Sequence, residues 1–251
     1  MIAAQLYTVR DKLKDPSKLV AVLRQVRGIG YRAVEVAGLG PKTIDRFAEA
    51  LKNSGLVACA AHVSLERLKG DLKMVKWECT SWGCKYVVVP ALPDEYRSAA
   101  GFKRFAIETR RLNSELRLSG LELVYHNHAF ELQRSGGHTG LDTLFAEATS
   151  YELQAELDTY WLQYGGANPA AWIRKLKGRV PLVHLKDMTV DRGNPIMAEI
   201  GEGNLDWPDI LNACKEAGTE WLVVEQDECR RDPMDSLAIS YRNLSKLTGD
   251  A

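Results

Sequence analysis

Charge of one sign is missing from this sequence. Its 33 basic side chains are matched by 33 acidic ones, and the pI is near 7. Nucleic acids and anionic membranes are held by basic faces, so neither partner has electrostatic support here. Cysteine is sparse and unpatterned. Cys59, Cys79, Cys84, Cys214 and Cys229 make an odd count with no C-x-x-C pair. That excludes a disulfide framework, a thiolate zinc site and a redox pair, and reads as the reduced thiols of a cytosolic protein. No run approaches the ~18 uninterrupted apolar residues of a membrane span. The opening MIAAQLYTVRD lacks a charged n-region and a long apolar h-region, so it reads as a first strand and not as a signal peptide. The turn after that strand, QLYTVRD, has no glycine, which removes the phosphate turn of a doubly wound dinucleotide fold.

What is present is length and alternation. The chain has 251 residues, 45% of them hydrophobic, enough to bury one large core, and no low-complexity linker divides it; we read 1–251 as one domain. Short apolar runs at 2–6, 33–36, 56–62, 85–90, 121–127, 152–158, 180–187 and 221–226 alternate with amphipathic stretches. The stretches predict helices over about 16–29, 41–53, 64–82, 99–118, 140–149, 168–178, 207–217 and 233–247, several opened by a cap or a proline (Asp15-Pro16, Asn168-Pro169, Asp206). Loops fill 129–139 and 188–203. Eight strand–helix units in this order predict an α/β fold of the (β/α)8 TIM-barrel class.

In such barrels chemistry sits at the C-terminal strand ends. Those ends carry Gln5, Glu35, His62, His126, His128, Asp158, His184, Lys186 and Glu225, and only His138 of the five histidines falls elsewhere. Three runs stop on metal-ligand types: AELD on Asp158, LVH on His184, VVE on Glu225. Strand parity puts Glu156 with Asp158 and Lys186 with His184, so a buried Lys186 needs a carboxylate, for which Glu156 is the candidate. One divalent cation is the expected guest, with Mn²⁺, Mg²⁺, Co²⁺ or Zn²⁺ all suited to such donors. Blander roles are expected elsewhere. Glu35 reads as a substrate contact or a partner for a neighbouring arginine. Met74 and Trp77 sit at core spacing. The GEG at 201–203 is a turn from which Glu202 could reach the site, and Arg230 belongs to a solvated loop with an optional phosphate contact.

At these residues the sequence resembles the xylose isomerase-like sugar phosphate isomerases and epimerases, a group that includes inosose dehydratases and ketose 3-epimerases and, more distantly, endonuclease IV. The resemblance is carried by QLYTVRD, GYRAVEVAG, YHNHAFE, ELDTYWLQYGGANP, GRVPLVHLKDM, IGEGNLDW and VVEQDE, and spans nearly the whole chain. It implies a TIM barrel with one metal held by Glu131, Asp158, His184 and Glu225, with His126 or His128 as a replacement for Glu131. It also implies Glu131 and Glu225 as the proton-transfer pair, acting on a keto-sugar or related polyol through a metal-stabilised enediolate. His62, Glu35, His126, His128, Trp161 and Lys186 are the expected substrate contacts. A ketose 3-epimerase has histidine and arginine where this chain has Trp161 and Val190, which argues against that substrate mode. A lyase or dehydratase acting on keto-glycosides or inososes shares the first step; a non-catalytic sugar-binding barrel is the reading from another class. A nuclease of the endonuclease IV type would need more histidines and a basic face. The partner implied is a small carbohydrate, with no nucleic acid and no membrane; a homo-oligomer stays open.

Overall fold

Eight parallel strands close on themselves: β1 (Ile2–Gln5), β2 (Ala33–Val36), β3 (Val57–His62), β4 (Tyr86–Val89), β5 (Glu122–His126), β6 (Gln154–Asp158), β7 (Leu182–Leu185) and β8 (Trp221–Val224). Each pairs with its neighbour in sequence, and β8 returns to β1 through Ile2, Ala3 and Ala4 against Leu222, Val223 and Val224. This computed structural model describes residues 1–249; positions 250 and 251 of the predicted domain lie outside the described residues. Around the barrel run α1 (Leu19–Ile29), α2 (Pro41–Ser54), α3 (Leu65–Gly70), α4 (Leu72–Trp82), α5 (Ala99–Arg117), α6 (Gly140–Glu147), α7 (Thr159–Tyr164), α8 (Pro169–Lys175), α9 (Trp207–Ala217) and α10 (Pro233–Thr248). No described helix is long and apolar enough to cross a membrane.

Period-two alternation decides what each strand buries. The outward positions, among them Val34, Val87, Leu123, Leu157, Val183 and Val224, join one apolar layer with Leu23, Phe47, Phe105, Leu144 and Ile173 of the helices. Each such Val, Leu or Phe contributes about 1.5–3 kcal/mol by leaving water. The inward positions toward the strand starts make a second, smaller cluster: Ala3, Ala33 and Ala60 beside the bulkier Tyr86, Val88, Val124, Leu182 and Val223. A bulge in β3 matters for the site. Val34 pairs with Ala58 but Glu35 pairs with Ala60, so Cys59 is an extra residue, and Ala60 and His62 come into step with Glu35.

The elements depart from expectation in several places. The helix expected over 64–82 breaks at Asp71 (φ −145°) into α3 and α4. Asp15 does not cap a helix at Pro16; it accepts from the Ser17 N–H and hydroxyl in a turn, and α1 starts at Leu19. Leu6–Leu13 coil into 3₁₀ turns straight off β1, and the loops at 134–139 and 187–198 contain short antiparallel hairpins. Met74 and Trp77 are 44% and 57% exposed, against the expectation of core. The buried stripe of α4 runs Val75, Glu78, Cys79, Trp82, and both residues fall off it.

Candidate metal and substrate site

The upper half of the barrel interior is filled with titratable groups. Glu35, Glu156, Asp158 and His184 are fully buried, and Lys186 is 1% exposed. His126 and Glu225 are buried as well, while His62 is half-buried. Register brings them together: Gln5 lies beside Glu35, His126 beside Glu156, Asp158 beside His184, and His184 beside Val223, two residues before Glu225.

Two donor groups meet at His184. In the deeper one, a single oxygen of Glu156 is approached by three imidazole nitrogens: His62 Nε2 at 3.0 Å, His184 Nε2 at 3.2 Å and His126 Nδ1 at 3.3 Å. Glu35 lies beneath, 2.6 Å from His184 Nε2, with the Gln5 amide donating to it at 2.8 Å. In the outer group, Asp158, His184 and Glu225 offer donor atoms within 4.8 Å of one another. The other nitrogen of His184, Nδ1, is 2.9 Å from Glu225 Oε2. Lys186 Nζ sits among the outer carboxylates, 2.6 Å from Glu225, 3.0 Å from Asp158 and 2.7 Å from Asp227.

Burial and charge set the proton affinities. Burial, aided by the negative charge of Glu156, raises Glu35 to about 6, and burial raises Asp158 to about 6. His184 and Lys186 lose solvation too, yet the surrounding carboxylates hold both well above their ordinary values. Burial likewise works against ionised Glu225, but Lys186 and His184 keep it well below the carboxylate range. His128, half-buried near Lys186, falls to about 4 through lost solvation and the lysine's charge.

Asp158 shows how local sequence builds the site. One carboxylate oxygen accepts the Trp161 N–H at 2.8 Å and caps α7, a short helix absent from the sequence expectation. The other oxygen is buried with no hydrogen-bond partner and faces Lys186. The backbone N–H of Asp158 is fixed in turn by the Asn127 side chain at 3.0 Å. Glu35 Oε1, Glu156 Oε1 and His126 Nδ1 are likewise buried without a hydrogen bond. Buried carboxylate oxygens and imidazole nitrogens, gathered into two groups that share His184, are the ligand types of a divalent first-row cation.

Other placements differ from the sequence reading. The partner of Lys186 is not Glu156, which faces the histidines; it is Asp158, Glu225 and Asp227. Asp227 was missed because it lies two residues past Glu225, beyond the strand. Glu35 finds no arginine; it contacts Gln5 and His184. Glu131 belongs to neither donor group. It sits on the 3₁₀ turn after β5, accepting from the Tyr125 hydroxyl at 2.6 Å and the His128 N–H at 3.0 Å, and burial raises it to about 7. Tyr125 has outward parity and carries Glu131 toward the helix layer. Glu202 points away to Arg231 at 2.8 Å, and Arg230 pairs with Asp191 at 3.4 Å. His128 and Trp161 pack against each other at the mouth, ring centroids 5.2 Å apart, with Lys186 Nζ 5.9 Å from the indole.

A residue with no signal in the strand pattern anchors the long hairpin over the mouth. Asp187 is fully buried and accepts from the N–H groups of Met188, Gly201, Gly203 and Leu205 and from the Trp207 indole at 2.6 Å. A Cβ on Gly203 would collide with that carboxylate and with the Met188 carbonyl, so glycine is required there by close approach.

Comparison with known proteins places this geometry. The family profile described as xylose isomerase-like TIM barrel matches residues 23–244. An inosose dehydratase of Lacticaseibacillus casei is 24% identical over 168 residues, which cover 60% of this chain and 54% of that protein. The chain therefore spans about half the length of the curated relatives it matches. A sugar phosphate isomerase/epimerase from Parabacteroides distasonis superimposes with a TM-score of 0.81 at 21% identity, covering 98% of this chain and 97% of the other. An L-ribulose 3-epimerase superimposes with a TM-score of 0.75 at 16% identity, covering 99% and 94%. At these identities the superpositions establish the shared fold.

Proposed function

The chain belongs to the xylose isomerase-like TIM barrel family, and on that footing we propose that it is a divalent-cation-dependent carbohydrate isomerase or epimerase. Its substrate is a keto-sugar or related polyol, and its work is to move a proton on the carbon next to the carbonyl. The observation that carries this reading is the convergence of Asp158, His184 and Glu225 within 4.8 Å at the barrel mouth, with Lys186 buried between the two carboxylates. Those three residues would hold the ion, and Mn²⁺, Mg²⁺, Co²⁺ or Zn²⁺ bound there supplies Lewis-acid polarisation of a carbonyl.

The chain's own groups do the rest. Glu225, kept ionised by Lys186 and His184, is the proton acceptor. Lys186, kept cationic by three carboxylates, steadies the oxyanion that develops as the proton leaves. His62 is the imidazole of the cluster that reaches the surface, with 12% of its side chain exposed, and meets a substrate hydroxyl. Glu131 is spent on Tyr125 and on the His128 backbone, and its part is to position the His128 turn.

Incubation with Mn²⁺ and candidate keto-sugars in D₂O tests the reading. Deuterium enters the carbon next to the carbonyl with the parent chain and not with Glu225→Gln. No exchange with any keto-sugar, in protein carrying a stoichiometric ion, overturns it. The second reading, a dehydratase, is favoured by the inosose dehydratases among the relatives. It shares the proton step and is recognised by loss of water from the substrate, which leaves an unsaturated product. A non-catalytic sugar-binding barrel predicts no metal uptake and an unchanged sugar affinity in Glu225→Gln.

A further inference from the structure

Beside the charged cluster lies a groove of about 460 Å³ that the proton-transfer chemistry does not use. Its near end is shared with the site, because it is lined by Trp161 and by Asp227, the carboxylate 2.7 Å from Lys186 Nζ. From there it runs outward between two walls. One is aromatic, formed by α7: Trp161 and Tyr160 have centroids 5.0 Å apart, and Tyr164 lies 5.6 Å from Trp161 with half its surface exposed. The other is the hairpin held down by Asp187, which presents Pro195, Ile196 and Met197. The Trp161 indole N–H, at the junction of groove and cluster, is buried with no partner.

A flat aromatic wall facing an aliphatic one, with carboxylates along the edge, matches the C–H face and hydroxyl rim of a sugar ring. It does not match a phosphate. Asp191, Asp227 and Glu228 line the groove, and its one guanidinium, Arg230, is paired with Asp191. The nearby guanidinium groups are committed as well. Arg10 donates to the carbonyls of Tyr7 and Asp227, and Arg97 donates to the Leu92 carbonyl, pairs with Asp94 and stacks over Phe130.

We propose that this groove is a second-ring subsite, and that the substrate is an uncharged glycoside of a keto-sugar and not a sugar phosphate. The reacting ring sits at the cluster, and the ring attached through the glycosidic bond stacks on Trp161 and Tyr164 against Ile196. This rests on the carbohydrate reading above and names its substrate class.

Calorimetric titration tests it without turnover, using glucose, cellobiose, phenyl β-D-glucoside and glucose 6-phosphate as probes. The two-ring probes bind at least tenfold tighter than glucose, and glucose 6-phosphate binds no tighter than glucose. A gain for cellobiose alone means a sugar in the groove; a gain for the phenyl glucoside alone means an aromatic aglycone. Tyr164→Ala, on an exposed side chain, and Ile196→Ala, on the opposite wall, each cut the two-ring gain to within threefold while glucose affinity stays put. Equal binding of one-ring and two-ring probes, or tightest binding of the phosphate, overturns the proposal. A chain that shows the two-ring gain but exchanges no deuterium refutes the enzymatic reading alone.

Discussion

The two halves of the barrel interior are built from the same strands yet hold opposite chemistry. Toward the strand starts, Ala3, Ala33, Ala60, Val88, Val124 and Val223 pack with Tyr86 and Leu182. Two residues further along these strands stand Gln5, Glu35, His62, His126, His184 and Glu225, with Glu156 beside them on β6. The lower half buries no charged group and gains by excluding water. The upper half buries four carboxylates at a desolvation cost that only counter-charges offset. The fold is thus secured by one layer, and function is placed in a layer that costs stability.

Four substitutions probe this division, in falling order of effect. Glu225→Gln removes the proton acceptor, so deuterium exchange falls by about 10³-fold, while thermal unfolding shows the fold intact. A residual rate within tenfold of the parent would move the base elsewhere. Lys186→Met strips the counter-charge from Asp158, Glu225 and Asp227, so urea unfolding of metal-free protein should show a loss of about 3–5 kcal/mol, much of it restored by Mn²⁺. Equal stability of the two metal-free proteins would mean that Lys186 is not the charge holding the cluster together.

In the lower half, Val88→Ala deletes two buried methyl groups and costs about 2 kcal/mol, with exchange per folded molecule unchanged. A change in exchange rate would show that the layers are not separable. The smallest effect concerns Glu131, raised to about 7 from an ordinary 4.5. The folded chain keeps a proton that the unfolded chain releases. Its stabilising contribution is complete below pH 4.5 and lost as pH rises through 7. The stability difference between the parent and Glu131→Gln should therefore fall with pH across that window, at up to about 1.4 kcal/mol per unit. A flat difference contradicts the buried, protonated carboxyl.

Much of this was legible in the sequence because it rests on periodicity. Eight apolar runs separated by amphipathic ones give the barrel, and runs that end on Asp158, His184 and Glu225 give the rim. What was hidden depends on geometry past the strand ends. Lys186 pairs with Asp158, Glu225 and Asp227, and not with Glu156, because the ends of β6, β7 and β8 converge while Glu156 sits one layer deeper among the histidines. Glu131 was expected among the ligands from a motif; it stands outside both donor groups, on the turn after β5, bonded to the Tyr125 hydroxyl and the His128 N–H. Asp187 read as one more polar residue after a strand; its role needs five donors brought from as far as Trp207. Cys59 showed no sign of being the bulge residue that sets the phase of His62.

The central claim is that the titratable layer is a seat for a divalent cation, and direct counting tests it. Equilibrium dialysis against Mn²⁺, followed by metal analysis, should find one tightly held ion per chain in the parent. The same measurement on His184→Ala, which takes away the residue common to both donor groups, should find none. An unloaded parent chain, or an ion retained after His184 is removed, contradicts the account.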